Sequence, residues 1–159
     1  MDKYPYLVVE GNIGSGKTSL VKLLSSHLNV HTFYEEFSDN PFLPKFYTQP
    51  DKYAFPLELS FLAERYQQLK SELNTRDLFY SNIISDYYFY KSLIFAQINL
   101  KEDEYLLYKK LFHIIHSNLP EPNLLVYLYS DVDRLKENIL GRGRSYEKDI
   151  SEIYLSKIN

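Results

Sequence analysis

An apolar run, Tyr6-Leu7-Val8-Val9, leads into a polar, glycine-rich stretch over residues 10–18, and the hydrophobic period then changes. Four consecutive apolar residues closed by turn signals read as a strand buried on both faces. From Lys17 onward the apolar positions recur at helical spacing, which puts Leu20, Leu23, Leu24 and Leu28 on one expected face. VHTFYEE reads as a second strand ending in two carboxylates, followed by the proline-punctuated loop SDNPFLPKFYTQP. A long helix is expected through YAFPLELSFLAERYQQLKSEL, and NIISD reads as a short third strand closed by an acid. KEDEYLLYKKLFHIIHSNL predicts an amphipathic helix stopped at PEP, and NLLVYLYS a fourth strand. DVDRLKENIL predicts a helix running into GRGRSYE, and DISEIYLSKI starts a last one. Apolar strands alternating with helices predict an α/β fold, a mainly parallel sheet with helices on both faces, as one domain over 1–159. Ligands on such sheets bind beyond the carboxyl ends of the strands, so Glu10, Glu35 and Asp86 should converge on one crevice.

Composition narrows the class. With 159 residues, 45% hydrophobic and 25% charged, the chain suits an ordinary globular domain with a sizeable core. A formal net charge of −3 supplies no basic field for nucleic acid. No run approaches the ~20 apolar residues of a membrane span, and MDKYPY lacks the apolar core of a signal peptide. There is no cysteine, hence no disulfide framework and no thiolate metal site. A cytoplasmic enzyme is the expectation. The 16 tyrosines are read as core and interface fillers with a polar tip.

The glycine-rich stretch carries the first chemistry. Gly11, Gly16, Lys17 and Thr18 fit G-x-x-x-x-G-K-[ST], in the strand–loop–helix context this phosphate-binding loop requires. Gly11, Asn12, Ile13, Gly14, Ser15 and Gly16 would turn backbone N–H groups around phosphate oxygens, reinforced by the helix N-terminus. Lys17 would reach the β- and γ-phosphates and Thr18 would ligate Mg²⁺, which makes ATP and Mg²⁺ the expected cofactors in a P-loop NTPase fold.

What receives the phosphate is suggested by a resemblance. GNIGSGKT, EEFSDNPFLPKFY, YAFPLELSFLAERYQQL, SDYYFYKSLIFA and RGRSYE, in this order and spacing, resemble the deoxyribonucleoside kinase family, in particular its bacterial deoxyguanosine/deoxyadenosine kinase branch. The resemblance implies that Glu35 orients a nucleoside 5′-hydroxyl and accepts its proton, a role that suits a carboxylate because the alcohol is a poor nucleophile. The family usually has proline after this acid, where this chain has Glu36; counting back from Asn40 and Pro41 favours Glu35. Tyr47 and Glu147 match residues that hold the sugar 3′-hydroxyl. Arg142 and Arg144 match a lid that closes over the triphosphate, where two guanidiniums neutralise charge on the transferred group.

Asp86 matches the acid that helps position Mg²⁺, but the family's following arginine is Tyr87 here. Lys91, four residues on and one helical turn away, is the candidate replacement for that charge. Glu58 stands where the family generally has a base-pairing glutamine; Arg65, seven residues later on the same face, matches the arginine of purine-preferring members. These members also place an aspartate where this chain has Ser92. An ionised Glu58 would accept from guanine N1–H and the 2-amino group while Arg65 faces O6 and N7. Adenine would require a protonated Glu58 or another orientation, so deoxyguanosine is narrowly favoured over deoxyadenosine.

The resemblance further implies deoxynucleotide salvage and a homodimer whose partners are deoxynucleoside and ATP, with no nucleic acid and no membrane. Family members continue with another parallel strand and an adenine-contacting loop, so the domain is expected to be truncated at its C-terminus, its final strand missing. His113 and His116 are expected to be structural, and KEDE to be the solvated first turn of a helix. Two rival readings remain: a nucleoside monophosphate kinase, which would need cations where Glu35, Tyr47 and Glu58 stand, and a nucleotide-binding subunit without turnover.

Overall fold

The computed structural model describes residues 3–36, 40–74, 82–144, 147 and 150–159. Strand β1 (Tyr6–Gly11) is followed by α1 (Lys17–His27), β2 (His31–Phe33), α2 (Leu43–Thr48) and α3 (Pro50–Asn74). Then come β3 (Ile83–Ser85), α4 (Lys91–Asn99), α5 (Glu102–His116), β4 (Leu124–Leu128), α6 (Val132–Arg142) and α7 (Glu152–Ile158). The strands form one sheet in the order β2-β3-β1-β4, with every pairing parallel.

Strand β1 is central and all six of its residues are buried. Its side chains alternate between two cores, as the pleat requires. Tyr6 and Val8 join Phe33, Leu62, Leu69, Tyr87, Phe89, Tyr108 and Phe112 under the helices α3, α4 and α5. Leu7 and Val9 join Val21, Val30 and Ile84 on the face covered by α1. The expected three-layer α/β architecture is the observed one. A separate cluster, Leu135, Ile139, Ile150 and Leu155, ties α6 and α7 together beside Ile13 of the loop after β1.

One helix face needs correction. Leu20, Leu24 and Leu28 pack on the core as expected, but Leu23 is 58% exposed and Val21 is fully buried. At about 100° per residue Leu20, Leu24, Leu28 and Val21 span one stripe, whereas Leu23 falls on its far side. In α5, Tyr108 and Phe112 are fully buried and Leu106 is exposed, while Glu102, Asp103 and Glu104 fill the solvated first turn. His116 stacks on Phe89 and Phe112 and pairs with Glu121, and no metal-holding group of His, Asp and Glu occurs among the described residues. Of the expected loop and lid, Ser38, Asp39, Ser145 and Tyr146 lie outside the described residues, as does Asp149 before the last helix.

Candidate active site

At the carboxyl end of β1 the chain turns through residues 12–16 and enters α1. Gly16 occupies the helix N-cap at φ 93° and offers no capping side chain, so the first-turn N–H groups stay available to an anion. Lys17 folds back over the loop, donating to the carbonyls of Gly11 (2.8 Å) and Asn12 (2.9 Å). Burial, with Lys91 nearby, pulls the Lys17 ammonium down to about 8, against the pull of Glu10, Glu35 and Asp86. Ser15 Oγ is buried with no hydrogen-bond partner, an orphaned hydroxyl inside the cradle. Asn12 serves differently: its amide donates to the Leu155 carbonyl (2.7 Å) and to Asn159 Oδ1 (2.9 Å), bracing the loop against α7. Thr18 donates its hydroxyl to Asp86 Oδ2, which brings together the two oxygen donors expected to serve a magnesium ion. An uncapped helix start, an orphaned hydroxyl and hard oxygen donors together fit a magnesium polyphosphate.

Beside this loop lies a cleft enclosing about 980 Å³, its open mouth included, which leaves room for a nucleoside next to a phosphate chain. Glu35 lines it, whereas Glu36 is exposed. The Glu35 backbone N–H is fixed by Asp86 Oδ1 at 2.8 Å. Its Oε1 accepts from Arg65 Nε (2.9 Å) and Nη2 (2.7 Å), and its Oε2 from Lys91 Nζ (2.6 Å). Burial alone would raise this carboxyl, but Lys91 and then Arg65 outweigh it and hold Glu35 well below the usual carboxylate range. Lys91 thus reaches the acid, but not by the expected helical spacing. Helix α4 begins at Lys91, residues 87–90 form a turn, and Tyr87 and Lys91 point to different sides.

Two expectations change here. Tyr87 does not face the cleft: it is fully buried, packs edge-on against Phe33 and donates to Gln68 Oε1 at 2.8 Å. Its aromatic ring belongs to the core, so no substrate contact comes from it. Glu10 likewise turns away, accepting from the backbone N–H groups of Gly11 (2.9 Å) and Tyr88 (2.8 Å), while Glu35 and Asp86 do converge.

At the far end of the cleft, Glu58 is 1% exposed. Its Oε1 accepts from Asn99 Nδ2 at 2.7 Å, and its Oε2 is buried without a partner. Burial pushes this carboxyl up to about 7, against the Asn99 hydrogen bond and the cations Arg65 and Lys91 and with help from Glu35. Arg65 does not pair with Glu58; it stacks over Phe61 at 4.9 Å, and Nη1 donates to Ser92 at 2.8 Å. Three of its five donors are therefore committed to Glu35 and Ser92, which leaves two. Tyr47 lines the same cleft. At its mouth Arg142 (2.7 Å) and Arg144 (3.1 Å) both reach the carboxylate of Glu147.

Asn99, Phe95 and Tyr154 also line the cleft, and the sequence reading passed over them. A signal for two was present: Lys91, Phe95 and Asn99 repeat every four residues along α4 and so share a face. Tyr154 had none, because its place depends on how α7 docks.

The deoxynucleoside kinase family model matches residues 7–159. The chain is 37% identical to a deoxyguanosine kinase of Bacillus subtilis over 99% of its own length and 76% of that protein's. It is 37% identical to a deoxyguanosine kinase of Lactobacillus johnsonii over 89% of this chain and 66% of that one. To a deoxyadenosine kinase of Dictyostelium discoideum it is 32% identical, over 96% of this chain and 63% of the other. Among solved structures, deoxyadenosine kinase from M. mycoides with bound dATP superposes with a TM-score of 0.85 at 26% identity, over 97% of this chain and 80% of that one. By its sequence and its fold, the chain belongs to the deoxynucleoside kinase family.

Proposed function

We propose that the protein transfers the γ-phosphoryl group of ATP to the 5′-hydroxyl of a purine deoxynucleoside, deoxyguanosine slightly before deoxyadenosine, in deoxynucleotide salvage. The observation that carries this reading is Glu35. A carboxylate held by Arg65 and Lys91, and fixed at its backbone by Asp86, shares one cleft with Lys17 of the phosphate loop. Glu35 accepts the hydroxyl proton as the oxygen attacks; being held in one orientation, it contributes positioning as much as basicity. Magnesium, when bound, neutralises charge on the phosphate oxygens, and Thr18 and Asp86 are the residues that would hold it. Lys17 steadies the phosphate chain. Arg142 and Arg144 leave Glu147 to meet the transferred group, and Lys91 supplies the charge that Tyr87 does not. Released in this way, Glu147 joins Tyr47 in holding the 3′-hydroxyl.

Arg65 and Lys91 are both engaged by Glu35, which opposes a monophosphate substrate, whose phosphate would have to displace that carboxylate from its two cations. The preference for deoxyguanosine is supported by Glu58 and by the two spare donors of Arg65. Exposed Ile94 of α4 and Leu106, Leu107 and Ile114 of α5 support assembly as a homodimer. Salvage of this kind places the protein in the cytoplasm; no helix among the described residues is long and apolar enough to cross a membrane. Labelled ATP incubated with each of the four deoxynucleosides, and separately with their monophosphates, tests the proposal. Labelled purine monophosphates are the expected product; phosphorylation of monophosphates alone, or of nothing, overturns it.

A further inference from the structure

We propose that the proton on Glu58 selects the purine: with it the pocket accepts adenine and guanine alike, and without it the pocket keeps guanine and rejects adenine. The inference deepens the kinase reading above and rests on it. Its ground is the geometry of one side chain. Glu58 is 1% exposed yet lines the cleft, and Asn99 holds its Oε1 as an acceptor. Oε2 has no partner. A buried oxygen left in this condition is costly until a ligand satisfies it.

The two protonation states offer different edges. A neutral carboxyl presents one donor and one acceptor; a carboxylate presents acceptors only. Adenine offers an acceptor, N1, beside a donor, its 6-amino group, so it matches the neutral acid and meets repulsion from the ionised one. Guanine has two faces to use. Its O6 acceptor beside N1–H matches the neutral acid, and N1–H beside the 2-amino group matches the carboxylate. Guanine is accepted in both states by a small shift of the base; adenine is accepted in one.

The surroundings place this switch in the working range. From α3 itself Arg65 faces Glu58, from the chain after β2 Glu35, and from α4 Lys91 and Asn99. Tyr108 of α5 donates to the Glu58 backbone carbonyl at 3.4 Å, Tyr154 of α7 interacts with the carboxyl, and Tyr47 of α2 faces the same cleft. Arg65 and Lys91 against Glu35 leave a net positive charge that favours ionisation. Burial favours the neutral acid, and the outcome is a value of about 7.

Competition between deoxyguanosine and deoxyadenosine in a single reaction with ATP and Mg²⁺ tests this, read as the ratio of their kcat/KM values from about pH 6 to about pH 8.5. Titration of the shared catalytic groups cancels in the ratio, and neither purine changes its own protonation in this range. The guanine-to-adenine ratio is expected to rise on the order of tenfold, the size of one lost base contact, with its midpoint near the Glu58 value. In Glu58→Gln the amide keeps one donor and one acceptor at every pH, so its ratio is expected to stay flat at the low-pH value of the unaltered protein. A flat ratio in the unaltered protein while both purines are phosphorylated, or an unchanged slope in Glu58→Gln, overturns the inference. Phosphorylation of neither purine at any pH instead overturns the kinase reading beneath it.

Discussion

Glu35 concentrates the chemistry into one side chain whose every oxygen is already spoken for by a cation. Converting Glu35→Gln removes the proton acceptor, and kcat is expected to fall about 10²- to 10⁴-fold in a steady-state assay. Lys91 was singled out in the sequence by a helical spacing from Tyr87 that the fold does not contain, since α4 begins only at Lys91. What brings its ammonium to Glu35 is the turn over residues 87–90. The arginine it replaces would have stood at Tyr87, a position unavailable for the purpose: the tyrosine fills the core under α3. Lys91→Met is expected to lower kcat by more than tenfold, while Lys91→Arg, which keeps the charge, recovers most of it. Lys17 adds a pH limit. Its free-enzyme value of about 8 means that kcat/KM for ATP should decline above about pH 8. Glu35, held low, stays ionised throughout, so no acid limb near neutrality should come from it.

Among the elements, the phosphate loop was the most legible, since its residue types are dictated by backbone geometry. A Cβ on Gly11 would sit 2.5 Å from the Leu128 carbonyl oxygen, which is backbone and cannot give way. On Gly16 it would meet nothing within 4 Å, and only the φ of +93° resists it. Gly11→Ala should therefore cost about 1–3 kcal/mol by overpacking between β1 and β4, and Gly16→Ala about 1–2 kcal/mol of backbone strain. Urea unfolding measures both. The strands and helices were legible from periodicity, and Glu35 was singled out by the resemblance, which places an acid after β2. The partners of Arg65 were not, because sequence spacing fixes which residues share a helix face but not which acid from another element meets them. Glu58 and Arg65 do share a face of α3, yet Glu35 claims the guanidinium and Asn99 the carboxyl.

For the whole molecule, two buried acids act on stability in opposite senses. Glu35 has its pKa depressed by folding, so its contribution is present above the unfolded value of about 4.3 and fades as pH falls below it. Glu58 has its pKa raised, so its contribution is full below about 4.3, declines as pH rises, and is gone above about 7. Glu58→Gln should therefore be more stable than the unaltered protein at pH 8, on the order of 3 kcal/mol, with no advantage near pH 4. Denaturant unfolding at the two pH values checks both the sign and the size. The three-layer arrangement that buries these acids followed from the alternation of strands and helices. Their environments did not, since burial belongs to the assembled layers and not to any one segment.

The double grip of Arg142 and Arg144 on Glu147 has a further meaning for a protein waiting without nucleotide. The single carboxylate offsets only one of the two guanidinium charges, so the entrance keeps a net positive charge, while donors of both arginines are occupied. In the proposed reaction a ligand that engages the glycine loop and the arginines together would displace the resident carboxylate and free it for the sugar. On that reading the resident ion pairs would couple arrival of the triphosphate to readiness for the nucleoside.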